Sequence, residues 1–433
     1  MSGFIILFII SLISFTVHNI KVLKTISIIG LLASIIFSTL NYSVPLVGFE
    51  LTSSIILFEV VLFIVIIATI LSLDESIAIT QTLFLTTASI LLLESSTILT
   101  FVLSFEAISI ISFVMVSFMR NKKEAMGAIK MFIAGSLSTA IIVLGTALYL
   151  IDGHSLLEPI SSTLTNFGIF GIWLLLLGVF YKLTIVPMHT WAADSYAQIR
   201  PYYAGILSGV AKTVVVVATF KIFSPFILNT FALSSFILLT LAVITMTLGN
   251  FLALYSKKVE KILSYSSIAH AGYMLLAFAS VKSQYAATGL LYIAIAYIFM
   301  QTAVFLLLDK LSNGKGDTFL EDLQGLGKTD KLSSLFLTIQ LFSLAGIPLL
   351  AGFMGKAILV YSVVDAGFTY VALVALLNSA LSVGYYAWII KHIYFSDTKT
   401  NKLAKVTTVV YISQTILLLG TLYFGIFSFT IFL

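Results

Sequence analysis

The sequence predicts an all-α polytopic membrane protein with about 14 transmembrane helices, arranged as two inverted five-helix repeats that each contain a broken helix. Three observations carry that expectation. The 433 residues are 60% hydrophobic and 9% charged with a mean hydropathy of +1.13, which is too apolar for a soluble domain. Apolar runs of about 20 residues, the length that crosses a hydrocarbon core, recur from one end of the chain to the other. Lysine and arginine gather on alternate loops.

Taken in order, the predicted spans lie near 3–17, 25–40, 54–73, 77–93, 96–119, 125–150, 166–197, 202–222, 226–254, 262–281, 285–308, 332–364, 367–394 and 406–432. The first run begins at Gly3 with no basic leader and no small-residue cleavage site, so it reads as a span and not as a cleaved signal. On one set of alternate loops stand Lys21, Lys24, Arg120, Lys122, Lys123, Lys130, Arg200, Lys257, Lys258, Lys261, Lys310, Lys315, Lys328, Lys331, Lys391, Lys399, Lys402 and Lys405. The other set holds only Lys221 and Lys282. This bias predicts a cytoplasmic basic face and, with an even number of spans, two extracytoplasmic termini.

Two spans are too long to cross straight. Residues 166–197 and 332–364 would each run about 50 Å as continuous helix, against a core of about 30 Å. Each holds a proline, Pro187 and Pro348, which removes a backbone donor and invites a break. Interrupted helices in corresponding places point to inverted repeats. The expected organisation is 1–76 for three N-terminal spans, 77–223 for the first repeat, 224–396 for the second and 397–433 for a C-terminal span.

The buried charges carry the chemistry, because an ionisable group at membrane depth is costly and rarely kept without use. Glu106 is mid-span and needs a partner; Lys182 is the candidate, with a purely structural ion pair as the plain alternative. Lys212 follows one span later with no acid on its own helix, so its proton can be loaded and unloaded as a neighbouring charge changes. Lys356 follows the second break between glycines, and snorkelling to the outer surface is its plain alternative. His270 sits with hydroxyls at Tyr265, Ser266 and Ser267, as a relay or as a satisfied core histidine. His189 and Asp194 are expected to cap backbone groups freed by the first break. Glu59, near the start of the third span, is expected at a contact with another subunit or snorkelling. Charges and broken helices together indicate an ion or proton path.

The absence of cysteine excludes thiolate-held iron–sulfur clusters, disulfides and c-type haem attachment, so an electron carrier has to sit on another chain. Metal-ligand spacings such as H-E-x-x-H, a G-x-G-x-x-G turn opening a helix and a P-loop are missing. The five histidines are too scattered for paired haem ligation by spacing.

The run Tyr-Lys182-Leu-Thr-Ile-Val-Pro-Met-His-Thr-Trp, the lysine one span later, Leu263-Ser-Tyr-Ser-Ser-Ile-Ala-His-Ala-Gly-Tyr273 and Leu-Ala-Gly346-Ile-Pro-Leu-Leu-Ala-Gly-Phe-Met-Gly-Lys356 resemble the antiporter-like proton-pumping subunits of respiratory complex I and of Mrp antiporters. The likeness covers roughly 77–394 and is closest to the N type, since the chain ends after the fourteenth span with no lateral helix, against the L type, and has lysine at 356 where the M type usually has glutamate. One departure is Ala193, where the family often has proline before the aspartate. The resemblance implies a proton-translocating subunit of an NADH-quinone oxidoreductase, with an Mrp-type sodium/proton or hydrogenase-linked antiporter subunit as the alternative. It implies a proton path of Glu106, Lys182, Lys212, His270 and Lys356, and no cofactor on this chain, with quinone and the iron–sulfur and flavin centres on partner subunits. The implied partners are other membrane subunits, the lipid bilayer and protons or sodium, without nucleic acid, in a prokaryotic plasma membrane.

Overall fold

Apolar sequence in hydrocarbon has to satisfy its backbone internally, which leaves the helix as the local structure of an open chain. The computed structural model describes residues 2–40, 49–50, 52–118, 122–160, 164–396 and 403–427. Among these are 17 helices: α1 (Ser2–Ser14), α2 (Ile20–Thr39), α3 (Ser53–Ser72), α4 (Ser76–Glu94), α5 (Ile98–Ser117), α6 (Lys122–Ile151), α7 (Asn166–Leu183), α8 (Thr190–Tyr196), α9 (Pro201–Asn229), α10 (Phe231–Leu254), α11 (Val259–Ala279), α12 (Tyr285–Leu311), α13 (Leu326–Thr329), α14 (Lys331–Ala345), α15 (Ala351–Asp365), α16 (Thr369–Phe395) and α17 (Thr408–Ile426). Pairing of extended backbone among the described residues is limited to two isolated bridges, Phe49 with Ser95 and Lys258 with Phe319. Arg120, Lys399, Lys402 and the predicted span residues 119 and 428–432 lie outside the described residues.

Twelve of the helices are long and apolar enough to cross a membrane. The two remaining predicted spans are met by the short α1 and by the pair α14 and α15, of 15 residues each. Neither half of that pair exceeds about 23 Å, so only the two together reach across a hydrocarbon core. The gap expected between 222 and 226 is absent: α9 runs on through Pro225 to Asn229.

The chain divides into two compact units. The first comprises Met1–Phe118, Phe132–Lys182 and Val214–Asn229. In it α1 packs on α2 and α4, α2 on α3, and α4 on α3 and α5. Gly145 and Gly171 bring α6 and α7 together so closely that a Cβ on either would sit 2.6–2.8 Å from the other's carbonyl oxygen, the small-residue contact that membrane helices use. The outward faces of α2 and α6 present Ile29, Phe132 and Leu144, suited to hydrocarbon or to another subunit.

The second unit comprises Met119–Met131, Leu183–Thr213 and Thr230–Leu433. Its centre is α11 and α12, apolar and buried on nearly every face, as expected of a helix hydrophobic all round. Around them α12 meets α14, α15 and α17, while α11 packs on α10 and α15.

Both expected breaks are present. α7 stops at Leu183, Thr184 takes φ 62°, and the chain stays non-helical to His189. The Val186 amide, freed from the helix, donates to the Thr245 hydroxyl at 3.1 Å. α14 ends in a Schellman-type turn: Gly346 has φ 90°, its amide donates to Phe342 and Ser343, and the Ile347 amide donates to Phe342, a geometry that glycine adopts without steric cost. Pro348 and Leu349, the latter at φ 71°, then carry the chain to α15.

Candidate functional site

In the first unit Glu106 projects from α5, half-buried, and both its carboxylate oxygens accept the Thr139 hydroxyl of α6, at 3.0 and 2.9 Å. Lys182, the penultimate residue of α7, donates to Ser112 at 3.3 Å and lies 5.8 Å from the Phe113 ring centroid. The two charges interact electrostatically but form no ion pair within 4 Å. Each is held instead by a neutral hydroxyl, so this is a separated arrangement of the expected pair.

The second unit holds the other three predicted residues. Lys212 follows a π-helical segment, Ile206–Ala211, inside α9. Such widened turns collect at functional sites because they re-aim the side chains that follow. Gly205 and Gly209 admit α12 against that segment, since Cβ atoms there would meet Phe305 and Thr302 at 2.6–2.7 Å. The Lys212 side chain is 1% exposed. Its amine donates to Thr184 Oγ1 at 2.8 Å, to Ser267 Oγ at 2.6 Å and to the Ser267 carbonyl at 3.3 Å. All three acceptors are neutral, and one belongs to the left-handed residue that opens the first break.

Ser267 begins a row on α11. Residues 267, 270 and 273 stand three apart, so they follow one another along one face of the helix. His270, 1% exposed, sets Nδ1 2.9 Å from the Ser266 carbonyl. A carbonyl only accepts, so Nδ1 carries the hydrogen and Nε2 is the bare ring nitrogen, without a hydrogen-bond partner among the described residues. The Tyr297 ring lies 4.9 Å away, centroid to centroid. Tyr273, third in the row, lies under Lys356, whose amine is 5.2 Å from the ring centroid.

Lys356 is 5% exposed and does not snorkel. It reaches back across the break, donating to the Leu344 and Ala345 carbonyls at 3.0 Å each and approaching Ser379 Oγ at 3.4 Å. A cation is favoured there, because the last carbonyls of α14 concentrate negative partial charge. The Leu344 carbonyl also faces His270. Gly352 and Gly355 seat α15 against Ser343 and Ile293, where any Cβ would meet atoms closer than 3 Å.

The structure thus places Glu106 with Lys182 in one unit and Lys212, His270 and Lys356 along one helix face in the other. Sequence reasoning missed Thr184, Ser112, Thr139 and Tyr273. For Tyr273 a signal was available, its spacing of three from His270. Two expectations fail. His189 occupies the residue before α8 and makes no side-chain cap bond to that helix, facing instead the Pro187 backbone within the break. Asp194 bonds Lys130 at 2.8 Å and lies 3.5 Å from Lys261, because two ammonium groups outcompete backbone amides for a half-exposed carboxylate. Of the three hydroxyls expected around His270, Ser267 serves Lys212, while Tyr265 lies under Lys261.

Loop charges tie one end of the second unit together. Asp317 receives both Lys123 and Lys258; burial works against its charge, but the two ammonium groups outweigh it and hold the carboxyl below the usual range. Arg200 meets the buried Asp309 through two nitrogens at 2.8 and 3.1 Å. Among the described residues no three His, Asp or Glu side chains come close enough to hold a metal ion.

Residues 95–382, which contain all five predicted path residues, match a family described as NADH:quinone oxidoreductase/Mrp antiporter, TM. F(420)H(2) dehydrogenase subunit N of Methanosarcina mazei is 34% identical over 346 residues, 75% of this chain and 69% of that protein. NADH-quinone oxidoreductase subunit N of Trichlorobacter lovleyi is 34% identical over 323 residues, 72% of this chain and 66% of that one. In fold, a chain of respiratory complex I from Thermus thermophilus superposes with a TM-score of 0.87 over 98% of this chain and 97% of its own, at 22% identity. The chain belongs to the NADH:quinone oxidoreductase/Mrp antiporter transmembrane family.

Proposed function

We propose that the chain is the N-type proton-translocating subunit of an NADH-quinone oxidoreductase or a related respiratory complex, moving protons through its interior while partner subunits reduce quinone. One observation carries this reading. The Lys212 amine is buried, held among the described residues by neutral oxygens, and seated at the residue where α7 breaks. An amine with a fixed counter-ion keeps its proton; one held by hydroxyls and a carbonyl can release it when a nearby charge changes. The names of the two relatives support the N type, and their different electron donors fit a subunit that moves protons without touching the donor.

In the proposed cycle Glu106 and Lys182 alternate between pairing and the separated state seen here. Only Leu183 separates Lys182 from Thr184 along the chain, so a movement at the end of α7 is transmitted to the hydroxyl that holds Lys212. A proton released by Lys212 meets Ser267, then the bare Nε2 of His270. Once protonated, the ring stands beside the Leu344 carbonyl that already receives Lys356. Moving each proton against 100 mV costs about 2.3 kcal/mol, which redox chemistry on the partner chains supplies. Quinone and the iron–sulfur and flavin centres belong to those partners, and this chain enters the enzyme as a membrane subunit.

The inverted repeats are inferred at 77–223 and 224–396, between three N-terminal spans (1–76) and a C-terminal one (397–433). Each half holds one interrupted helix with a proline and a non-glycine residue in the left-handed region, Thr184 and Leu349. The basic loops are assigned to the cytoplasm of a prokaryote and both termini to the outside, supported by the convergence of Lys123 and Lys258 on Asp317.

The test is Lys212→Arg, assayed in sealed vesicles for protons moved per electron. A guanidinium scarcely deprotonates, so proton movement should stop while electron transfer persists in part. A wild-type ratio would remove Lys212 as a titrating relay. Proton movement that requires sodium would favour the Mrp-type antiporter reading.

A further inference from the structure

Glu59 stands on α3, six residues in from Ser53 and so about 9 Å along the helix. It is 0% exposed, and neither carboxyl oxygen has a hydrogen-bond partner among the described residues. A subunit contact or a snorkelling acid, the expectations from sequence, would both leave it at the surface. Its charged neighbours among the described residues come from three elements, and the N-terminal amine of the chain also acts on both Glu59 and Glu94. Glu94 ends α4 and is 3% exposed; Lys221 projects from α9; Glu50 lies in the segment before α3. All interact electrostatically with one another or with Glu59. Ser38 of α2 faces Glu59 without a hydrogen bond of ordinary geometry.

Lys221 looks like the obvious counter-ion, but its three hydrogens are directed elsewhere. They go to the backbone carbonyls of Glu50 at 3.1 Å, Leu93 at 3.2 Å and Glu94 at 3.4 Å. The Glu50 amide donates to the same Glu94 carbonyl at 2.7 Å, which fixes this end of the first unit. A fully buried carboxylate with two bare oxygens is among the least favourable states a side chain can take, and a second carboxyl within Coulombic reach makes it worse. A proton removes that charge. A metal ion would demand several oxygen ligands at once, and no three His, Asp or Glu side chains gather here among the described residues; the carbonyls nearby are taken by the Lys221 ammonium, which would also repel it.

We propose that Glu59, with Glu94 within Coulombic reach, forms a proton-binding site in the first unit, occupied by one proton carried on Glu59. It is separate from the Glu106–Lys182 pair and from the row on α11, and neither acid lies within the family match at 95–382. The site does not depend on the translocation reading, because it states only where a proton resides.

Infrared difference spectroscopy on the assembled complex, wild type against Glu59→Gln, reads it directly. The expected result is loss of one protonated-carboxyl C=O band that shifts on transfer to D2O. Glu94→Gln should keep that band and move its frequency, whereas Glu106→Gln should leave it in place. If Glu59→Gln fails to assemble, Glu59→Asp should show a protonated band at a displaced frequency. Loss of carboxylate stretching bands in Glu59→Gln, with no protonated band removed, overturns the proposal. So does conversion of the band to carboxylate on adding sodium, which would make the site a cation site. Since the readout is not pumping, a failure of the Lys212 test leaves it intact.

Discussion

Replacing Lys356 by methionine keeps most of the side-chain volume and removes the ammonium that spans the second break. The Leu344 carbonyl would ordinarily bond the amide four residues on, but that residue is Pro348, which has none. Lys356 is therefore its donor, at 3.0 Å. The Ala345 carbonyl keeps only a 3.4 Å approach from Ser379. An orphaned buried carbonyl costs about 1–3 kcal/mol, and loss of a partly buried cation at a helix C-terminus adds up to about 2 kcal/mol. A local loss of about 2–4 kcal/mol is the expectation. Because each 1.4 kcal/mol is about tenfold in an equilibrium constant, hydrogen exchange at the amides of Gly346, Ile347, Leu350 and Gly352 should accelerate at least tenfold. The amide of Val186, at the first break, should be unchanged. Lys356→Arg retains donors for both carbonyls and should restore protection without restoring proton transfer. Exchange in 346–352 unaltered by Lys356→Met would refute the capping role and the geometry it rests on.

Two further outcomes are expected. Glu106→Gln and Lys182→Met should each lower protons moved per electron in sealed vesicles, and the double variant should lose less than the two losses combined; full additivity would show that the pair is uncoupled. Gly425 of α17 has no room for a side chain, since a Cβ would lie 2.3 Å from the Leu349 carbonyl and 2.7 Å from Leu350 Cα. Gly425→Val should destabilise by about 1–3 kcal/mol through overpacking, read as a lower thermal midpoint, and should displace the segment that leads to Lys356. A midpoint equal to wild type would show that α17 is loosely seated.

The spans were legible because the bilayer imposes a length, and the two breaks were legible because 166–197 and 332–364 exceeded it with a proline at each weak point. The gap drawn between 222 and 226 was misplaced, and Pro225 lies inside a continuous helix there. A proline reads as an interruption, but within a bundle neighbouring groups satisfy the carbonyl it frees, and α9 continues through it. Residue types at the site were readable from cost alone: Glu106, Lys182, Lys212 and Lys356 stand out in apolar sequence. Their partners were not, because partners depend on which way a helix faces. Ser266 and Ser267 are adjacent and chemically identical, yet one offers a carbonyl to His270 and the other a hydroxyl to Lys212. Glu59 was misjudged because depth along its own helix says nothing of what packs around it.

The widened segment before Lys212 also bears on how this chain can change length. A π-helical stretch holds one residue more than a regular turn, so the parts of α9 before Ile206 and after Ala211 keep their facing while the numbering between them shifts by one. Deleting one residue between Ile206 and Ala211 would let an unbroken α-helix form with the faces on either side kept, because the wide turn takes up one residue over about the same rotation. Length variation of one residue is therefore absorbed at this place, and a shortened variant would keep its lysine while losing the widened turn that precedes it.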